Sequence, residues 1–118
     1  MFLVTGLAKL REEDASAVDA MEVLKMATVN GSHAMGLKDT DVLSPGKAAD
    51  LIMIDLSQPN MRPLNNIAKN LVYSGSKQNV IMTMINGKIL YEKGCFYTNE
   101  QPHEIYEKAE QIRRKLAK

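Results

Sequence analysis

The sequence is short of several residue types. It has no tryptophan, one cysteine, two histidines, and aromatic residues make up only 5% of its 118 positions. A single cysteine, Cys95, excludes an internal disulfide and fits a reducing compartment, so a cytoplasmic location is expected. Two histidines, His33 and His103, supply no His-x-His and no His-Glu-x-x-His, and there is no Cys-x-x-Cys. No apolar run approaches the roughly 20 residues of a membrane span, so no membrane partner is expected. With a net charge of +1, the chain has no field that would draw it to nucleic acid. The apolar start MFLVTGLAKL lacks the basic leader and small-residue cleavage site of a signal peptide.

What is present is ordinary for a globular α+β chain: 45% hydrophobic, 25% charged, with eight methionines as adaptable core filler. The length suits one domain with a real core. Phe2, Leu3, Leu7 and Leu10 predict a helix over 2–12, which the acids Glu12, Glu13 and Asp14 help to end. An apolar helix at the first residue needs something to pack against. Ser16 or Asp19 can cap a second helix. Met21, Leu24 and Thr28 lie on one of its faces, with Val18, Ala20 and Ala27 beside them. Asn30-Gly31 is expected to interrupt it, with Asn30 capping a short helix from Ser32 to Met35 that stops at Gly36.

Lys38 to Ala49 reads as loop, with Ser44-Pro45-Gly46 as its turn. Asp39 and Asp41 lack the ligand pattern of a calcium loop and read as solvated turn acids. Gly46-Lys47 lacks the other glycines and the hydroxyl residue of a phosphate loop. The apolar run Leu51–Ile54 predicts a strand buried on both faces. Pro59 and Pro63 bracket an extended segment, Gln58 to Leu64. Asn65 or Asn66 caps a helix through Ile67, Ala68 and Leu71, ending before Ser74-Gly75.

Val80–Ile85, Asn86-Gly87 and Lys88–Tyr91 form the strongest local signal, a two-residue type I′ hairpin. Gly94 ends its second arm, and Cys95-Phe96-Tyr97 extends the sheet. Thr98 or Asn99 caps a last helix from Glu100 to Ala117, with an apolar stripe of Ile105, Ala109, Ile112 and Leu116. Glu104–Lys108 and Glu110–Arg114 are its i,i+4 pairs. Arg113, Arg114, Lys115 and Lys118 suit its negative end.

The residues alone identify no catalytic, cofactor-binding or metal-binding site. His33 reads as a helix-end histidine without a ligand partner at suitable spacing, and His103 as a surface residue. A Cys95–His103 nucleophile pair lacks an orienting group.

Four ordered motifs carry a family resemblance. Ala27-Thr28-Val29-Asn30-Gly31-Ser32-His33-Ala34-Met35-Gly36-Leu37 resembles the helix that follows the last barrel strand in the amidohydrolase superfamily. Pro45-Gly46-Lys47-Ala48-Ala49-Asp50-Leu51-Ile52-Met53-Ile54-Asp55 resembles the loop and strand with which that family's β-sandwich resumes. Asn70-Leu71-Val72-Tyr73-Ser74 and Val80 to Lys88 continue the match, so that it covers most of 20–92. The branch it is most similar to holds cytosine deaminase-like and chlorohydrolase-like enzymes, especially methylthioadenosine/S-adenosylhomocysteine deaminases. Asp41 departs from the family, which usually has glycine there.

The resemblance implies a metal-dependent deaminase using zinc or iron, built on a (β/α)8 barrel with a small sandwich from both chain ends. It implies that 1–37 is the end of the barrel, 38–98 the C-terminal half of the sandwich (strand, helix, hairpin), and 99–118 a terminal amphipathic helix. Met1-Phe2 would follow the aspartate that ends the eighth barrel strand. No family metal ligand then falls within this sequence, and the chain alone is expected to be inactive. Its expected partners are the barrel portion or a second copy of itself, as a homo-oligomer. The rival readings are a stand-alone module that dimerises or holds a partner, and a small enzyme using Cys95 or His103.

Overall fold

A computed structural model describes residues 1–117; Lys118, one of the basic residues expected at the last helix end, lies outside them. The first helix, α1, spans Phe2–Glu12 and ends where Glu13 turns left-handed at φ 52°. Its neighbour α2 spans Ala20–Lys25, and the Asp19 carboxylate caps it by accepting from the Met21 N–H at 3.1 Å. Of the two caps considered, Asp19 is therefore used. Ser16 instead donates its N–H and hydroxyl to Asp14.

Asn30-Gly31 does not interrupt the helix. A π-helical turn over Met26–Asn30 carries α2 directly into α3, Gly31–Ala34. Asn30 has helical φ and ψ of −68° and −39°, so it lacks the extended backbone of an N-cap and makes no cap bond. A Cβ on residue 31 would lie 3.1 Å from the Met26 carbonyl oxygen, so a glycine suits the wider turn. Gly36 does take the left-handed stop, at φ 74°.

The proline-bracketed segment is not extended. Pro59–Met61 forms a 3-10 turn because a proline's fixed φ suits the first position of a helical turn. That turn drives Met61 into complete burial. Helix α4, Ile67–Tyr73, is capped by Asn66, which accepts from the Lys69 N–H at 2.9 Å.

Strands β1 (Leu51–Ile54), β2 (Val80–Ile85), β3 (Lys88–Glu92) and β4 (Cys95–Phe96) form one antiparallel sheet in chain order. Asn86 and Gly87, at φ 49° and 75°, make the expected turn between β2 and β3. The Asp50 carboxylate receives the Asn86 N–H at 2.6 Å, fixing β1 against the hairpin. Within these residues β1 is not buried on both faces: Ile52 is 55% and Met53 51% exposed. One edge of β1 is unpaired, and the described residues leave both of those side chains about half exposed.

The last helix, α5, spans Pro102–Leu116. It starts two residues later than expected because Pro102 takes the first helical position and Glu104 folds back to accept the Gln101 N–H at 2.7 Å. Thr98 spends its hydroxyl on the Glu100 carbonyl instead. That use of Glu104 also removes the expected Glu104–Lys108 pair; Lys108 reaches Glu100 at 2.5 Å. Glu110 does pair with Arg114, at 3.1 Å, and also with Arg113.

Tertiary burial is sparse. Ala20 and Val23 of α2 meet Val72 of α4, with Val18, Leu24 and Ala68 around them. Met21, grouped with Leu24 and Thr28 on one face of α2, is 49% exposed. Across the whole chain the radius of gyration is 18.0 Å, against about 13.5 Å for a compact chain of this length. The accessible surface is 9101 Å², against about 6,400 Å² for a compact monomer of this mass. No helix among the described residues is long and apolar enough to cross a membrane.

Candidate functional site

A group of polar and charged side chains lies where α3 meets the loop before β1. The Asp41 carboxylate, 13% exposed, accepts from the Lys47 ammonium at 2.5 Å through one oxygen and approaches His33 Nε2 at 3.0 Å through the other. Lys47 also donates to the Lys38 carbonyl at 2.7 Å. Beside them the Ser32 hydroxyl bonds the Leu37 carbonyl and meets the Thr40 hydroxyl at 2.7 Å, and the Ala48 N–H closes the loop on Asp39 at 2.8 Å.

Asp41 is thus not a solvated turn acid. The Lys47 ammonium first, and His33 second, hold its carboxyl down to about 2. In the sequence His33 and Asp41 are eight positions apart and Asp41 and Lys47 six, beyond the three- and four-residue spacings at which side chains touch on a helix. The loop turn at Ser44-Pro45-Gly46 brings Lys47 back, with its N–H on the Ser44 carbonyl at 3.1 Å.

This cluster does not suit a metal. One Asp41 oxygen is already paired with a lysine, and the other faces the single histidine, His33. Among the described residues no group of three or more His, Cys, Asp or Glu side chains could hold a metal ion. His103 is exposed in the first turn of α5, and Cys95 is exposed on β4.

A second polar cluster is wholly structural. Asn79 is 1% exposed and sits between the 3-10 turn at Pro59–Met61 and the start of β2. Its carboxamide oxygen accepts from Asn60 Nδ2 at 2.8 Å and from the Ser76 N–H at 2.9 Å, while its carbonyl accepts the Asp55 N–H at 2.7 Å. Sequence reasoning missed Asn79 because an asparagine before a strand has no periodic signature. Asp55 lies beside it with its carboxyl held below the usual range by the Ser57 hydroxyl and N–H.

The larger exposed feature is apolar. Leu3, Leu7 and Leu10 recur along α1 and are 57–76% exposed. The opposite side of α1 is occupied: Phe2 meets the Tyr73 ring edge-on at 6.4 Å, Lys9 lies 5.0 Å above that ring, and Thr5 is buried. Together with Ile52 and Met53 of β1, these residues make surfaces of the kind that cores and large interfaces use. The accessible area exceeds that of a compact monomer of this mass by about 2,700 Å².

Comparison with known proteins gives these surfaces a context. The profile of the amidohydrolase family matches residues 1–90. A 5-methylthioadenosine/S-adenosylhomocysteine deaminase from Thermococcus onnurineus is 41% identical over 90 residues, 76% of this chain and 21% of that protein. One from Moorella thermoacetica is 43% identical over 101 residues, 85% of this chain and 23% of its own length. Among solved structures, an adenosine deaminase from Xanthomonas campestris with bound zinc superposes with a TM-score of 0.90 at 30% identity, covering 97% of this chain and 26% of that one. An atrazine chlorohydrolase from Arthrobacter aurescens, at 24% identity and a TM-score of 0.77, shares the fold over 92% of this chain and 25% of its own. The chain spans about a quarter of the length of the relatives it matches.

Proposed function

This chain belongs to the amidohydrolase family, and we propose that it is the C-terminal structural portion of a metal-dependent deaminase acting on a purine nucleoside or a similar heterocycle. In this reading 1–37 closes the barrel, 38–98 is the C-terminal half of the small sandwich, and 99–118 is a terminal helix. The observation that carries it is the uncovered apolar surface of α1 and β1. Leu3, Leu7 and Leu10 face outward on a helix whose other side is occupied, and Ile52 and Met53 lie on the two faces of β1, each about half exposed. Taking such surface out of water favours a covering partner, and the freedom lost on association offsets part of that gain. The deaminase reading is supported by the names of the relatives and by the adenosine deaminase neighbour.

The metal chemistry of such an enzyme, activation of a water for attack on a ring carbon, then belongs to residues beyond these 118. His33, Asp41 and Lys47 hold the loop that leads from the barrel end to the sandwich strand. By this reading the chain alone neither binds the catalytic metal nor turns over substrate.

The test is complementation. The chain is co-expressed with the metal-binding barrel portion of the Moorella relative, and the purified material is assayed for complex formation, zinc or iron content, and deamination of 5-methylthioadenosine and S-adenosylhomocysteine. A stable complex with metal and turnover is expected. Failure to form a complex would overturn the structural role. Turnover by the chain alone, with stoichiometric metal, would overturn its predicted inactivity.

A further inference from the structure

Two asparagines of this chain precede a glycine, Asn30 and Asn86, and both are exposed. Such a pair carries a latent reaction, because a glycine nitrogen with no side chain beside it can attack the asparagine carboxamide carbon. The fold treats the two pairs differently. Asn30 has helical φ and ψ of −68° and −39° in a continuous helical stretch, and the Gly31 N–H bonds the Thr28 carbonyl there. The space at Gly31 is tight, with the Met26 carbonyl oxygen 3.1 Å from where a Cβ would stand. Turning the Gly31 nitrogen towards the Asn30 side chain breaks the helix on both sides.

Asn86 stands at the tip of the β2–β3 hairpin with φ at 49°, a left-handed conformation that a non-glycine residue adopts at a cost. Nothing lies within 4 Å of a Cβ placed on Gly87. Only the segment before β1 holds this turn from outside. The Asp50 carboxylate receives the Asn86 N–H at 2.6 Å, and the Ala49 carbonyl receives the Gly87 N–H at 3.1 Å. The second bond occupies the nitrogen that attacks. Both lie beyond Leu51, the first paired residue of a four-residue strand with a free edge. Such an end opens locally, without unfolding of the whole.

We propose that Asn86 is a site of spontaneous deamidation, and that release of Ala49 and Asp50 from the turn sets its rate. The Gly87 nitrogen forms a bond to Asn86 Cγ, the Cγ–Nδ2 bond breaks, and ammonia leaves with the proton that Gly87 gives up. Water then opens the cyclic imide at either carbonyl. One opening gives aspartate; the other gives isoaspartate, with the chain running through the former side chain. Aspartate sets a second carboxylate beside Asp50, where like charges repel. Isoaspartate adds a backbone atom to a two-residue turn whose geometry has no room for it. Either product loosens β1 from the hairpin. The reaction needs no partner or metal and does not rest on the deaminase reading.

The full chain and an Asp50→Ala variant are aged in warm, mildly alkaline buffer. Digests are mapped by mass spectrometry, and isoaspartate is labelled with an isoaspartyl methyltransferase. Conversion should appear at residue 86, run several-fold faster in Asp50→Ala, and be undetectable at Asn30 in both. Asn30 is the internal control: a variant that simply unfolded would convert at both pairs, and that result would overturn the local gate. Equal rates at residue 86 in the two chains would overturn it too. A native chain with residue 86 intact when a free peptide of residues 80–93 has fully converted would overturn the site itself.

Discussion

Asn60 and Asn79 hold each other by a reciprocal pair of carboxamide bonds. Asn60 Nδ2 donates to Asn79 Oδ1 at 2.8 Å, and Asn79 Nδ2 donates to Asn60 Oδ1 at 3.1 Å. The pair joins a 3-10 turn to the foot of the central hairpin across 19 positions of sequence. Asn79 also serves Ser76 and Asp55, so its removal strands several polar groups at once. Replacing Asn79 by Leu should cost about 2–3 kcal/mol, because buried donors and acceptors lose their partners. The urea midpoint, followed by circular dichroism, measures this. An unchanged midpoint would show that water replaces the network without loss.

Met61 is the largest fully buried side chain, delivered by the turn that Pro59 begins. Met61→Ala should destabilise the chain by about 2–5 kcal/mol, the transfer and cavity costs together. Met61→Leu keeps most of the volume and should cost under about 1.5 kcal/mol. Thermal melts of the two variants side by side distinguish a packing role from a merely apolar one.

Two glycine-to-alanine substitutions should have opposite signs. Gly6 lies inside α1 with open space where a Cβ would go, so Gly6→Ala should stabilise by about 0.5–1 kcal/mol. At Gly75 an added Cβ would stand 2.5 Å from the Leu71 carbonyl oxygen. Backbone has to move there, and Gly75→Ala should cost about 1–3 kcal/mol. Equal shifts in denaturation midpoint for the two would contradict the local geometry.

Asp41 sets a pH dependence. Its folded carboxyl, at about 2, lies below its ordinary value of 3.8, so the contribution is complete above that ordinary value. It is lost as pH falls from about 4 towards about 2. Asp41→Asn should therefore be less stable than the native chain near neutrality, and the gap should close over that acid window. Urea midpoints of both forms from pH 2 to 6, as rough bounds, read it directly. Lys47→Met should raise the Asp41 pKa, measured by NMR titration of its carboxyl.

Much of the fold was legible locally. Asn86-Gly87 between apolar runs can form one favourable turn, and it does; Asn66 and Asp19 sit where an extended residue meets a helix and supply the caps. Where local preference failed, a neighbouring residue supplied the reason. Asn-Gly at 30–31 ordinarily marks a break, but a π turn admits it because residue 31 has no Cβ to strike Met26. Pro59 suits an extended chain and a helical first turn equally, and burial of Met61 accompanies the second.

The candidate site was less legible than the fold. The partners of Asp41 lie on a helix and beyond a turn, and no periodicity links them. The α2–α4 contact that buries Val23 against Val72 joins residues 49 apart, and only chain folding selects which face of α2 is used.

The sequence by itself determined the antiparallel hairpin, most helix positions and the family, because turn chemistry, capping and motif order act within a few residues of chain. Only tertiary structure decided which apolar residues are covered. Burial depends on what other surfaces come near, and the described residues leave Leu3, Leu7, Leu10, Ile52 and Met53 half exposed or more.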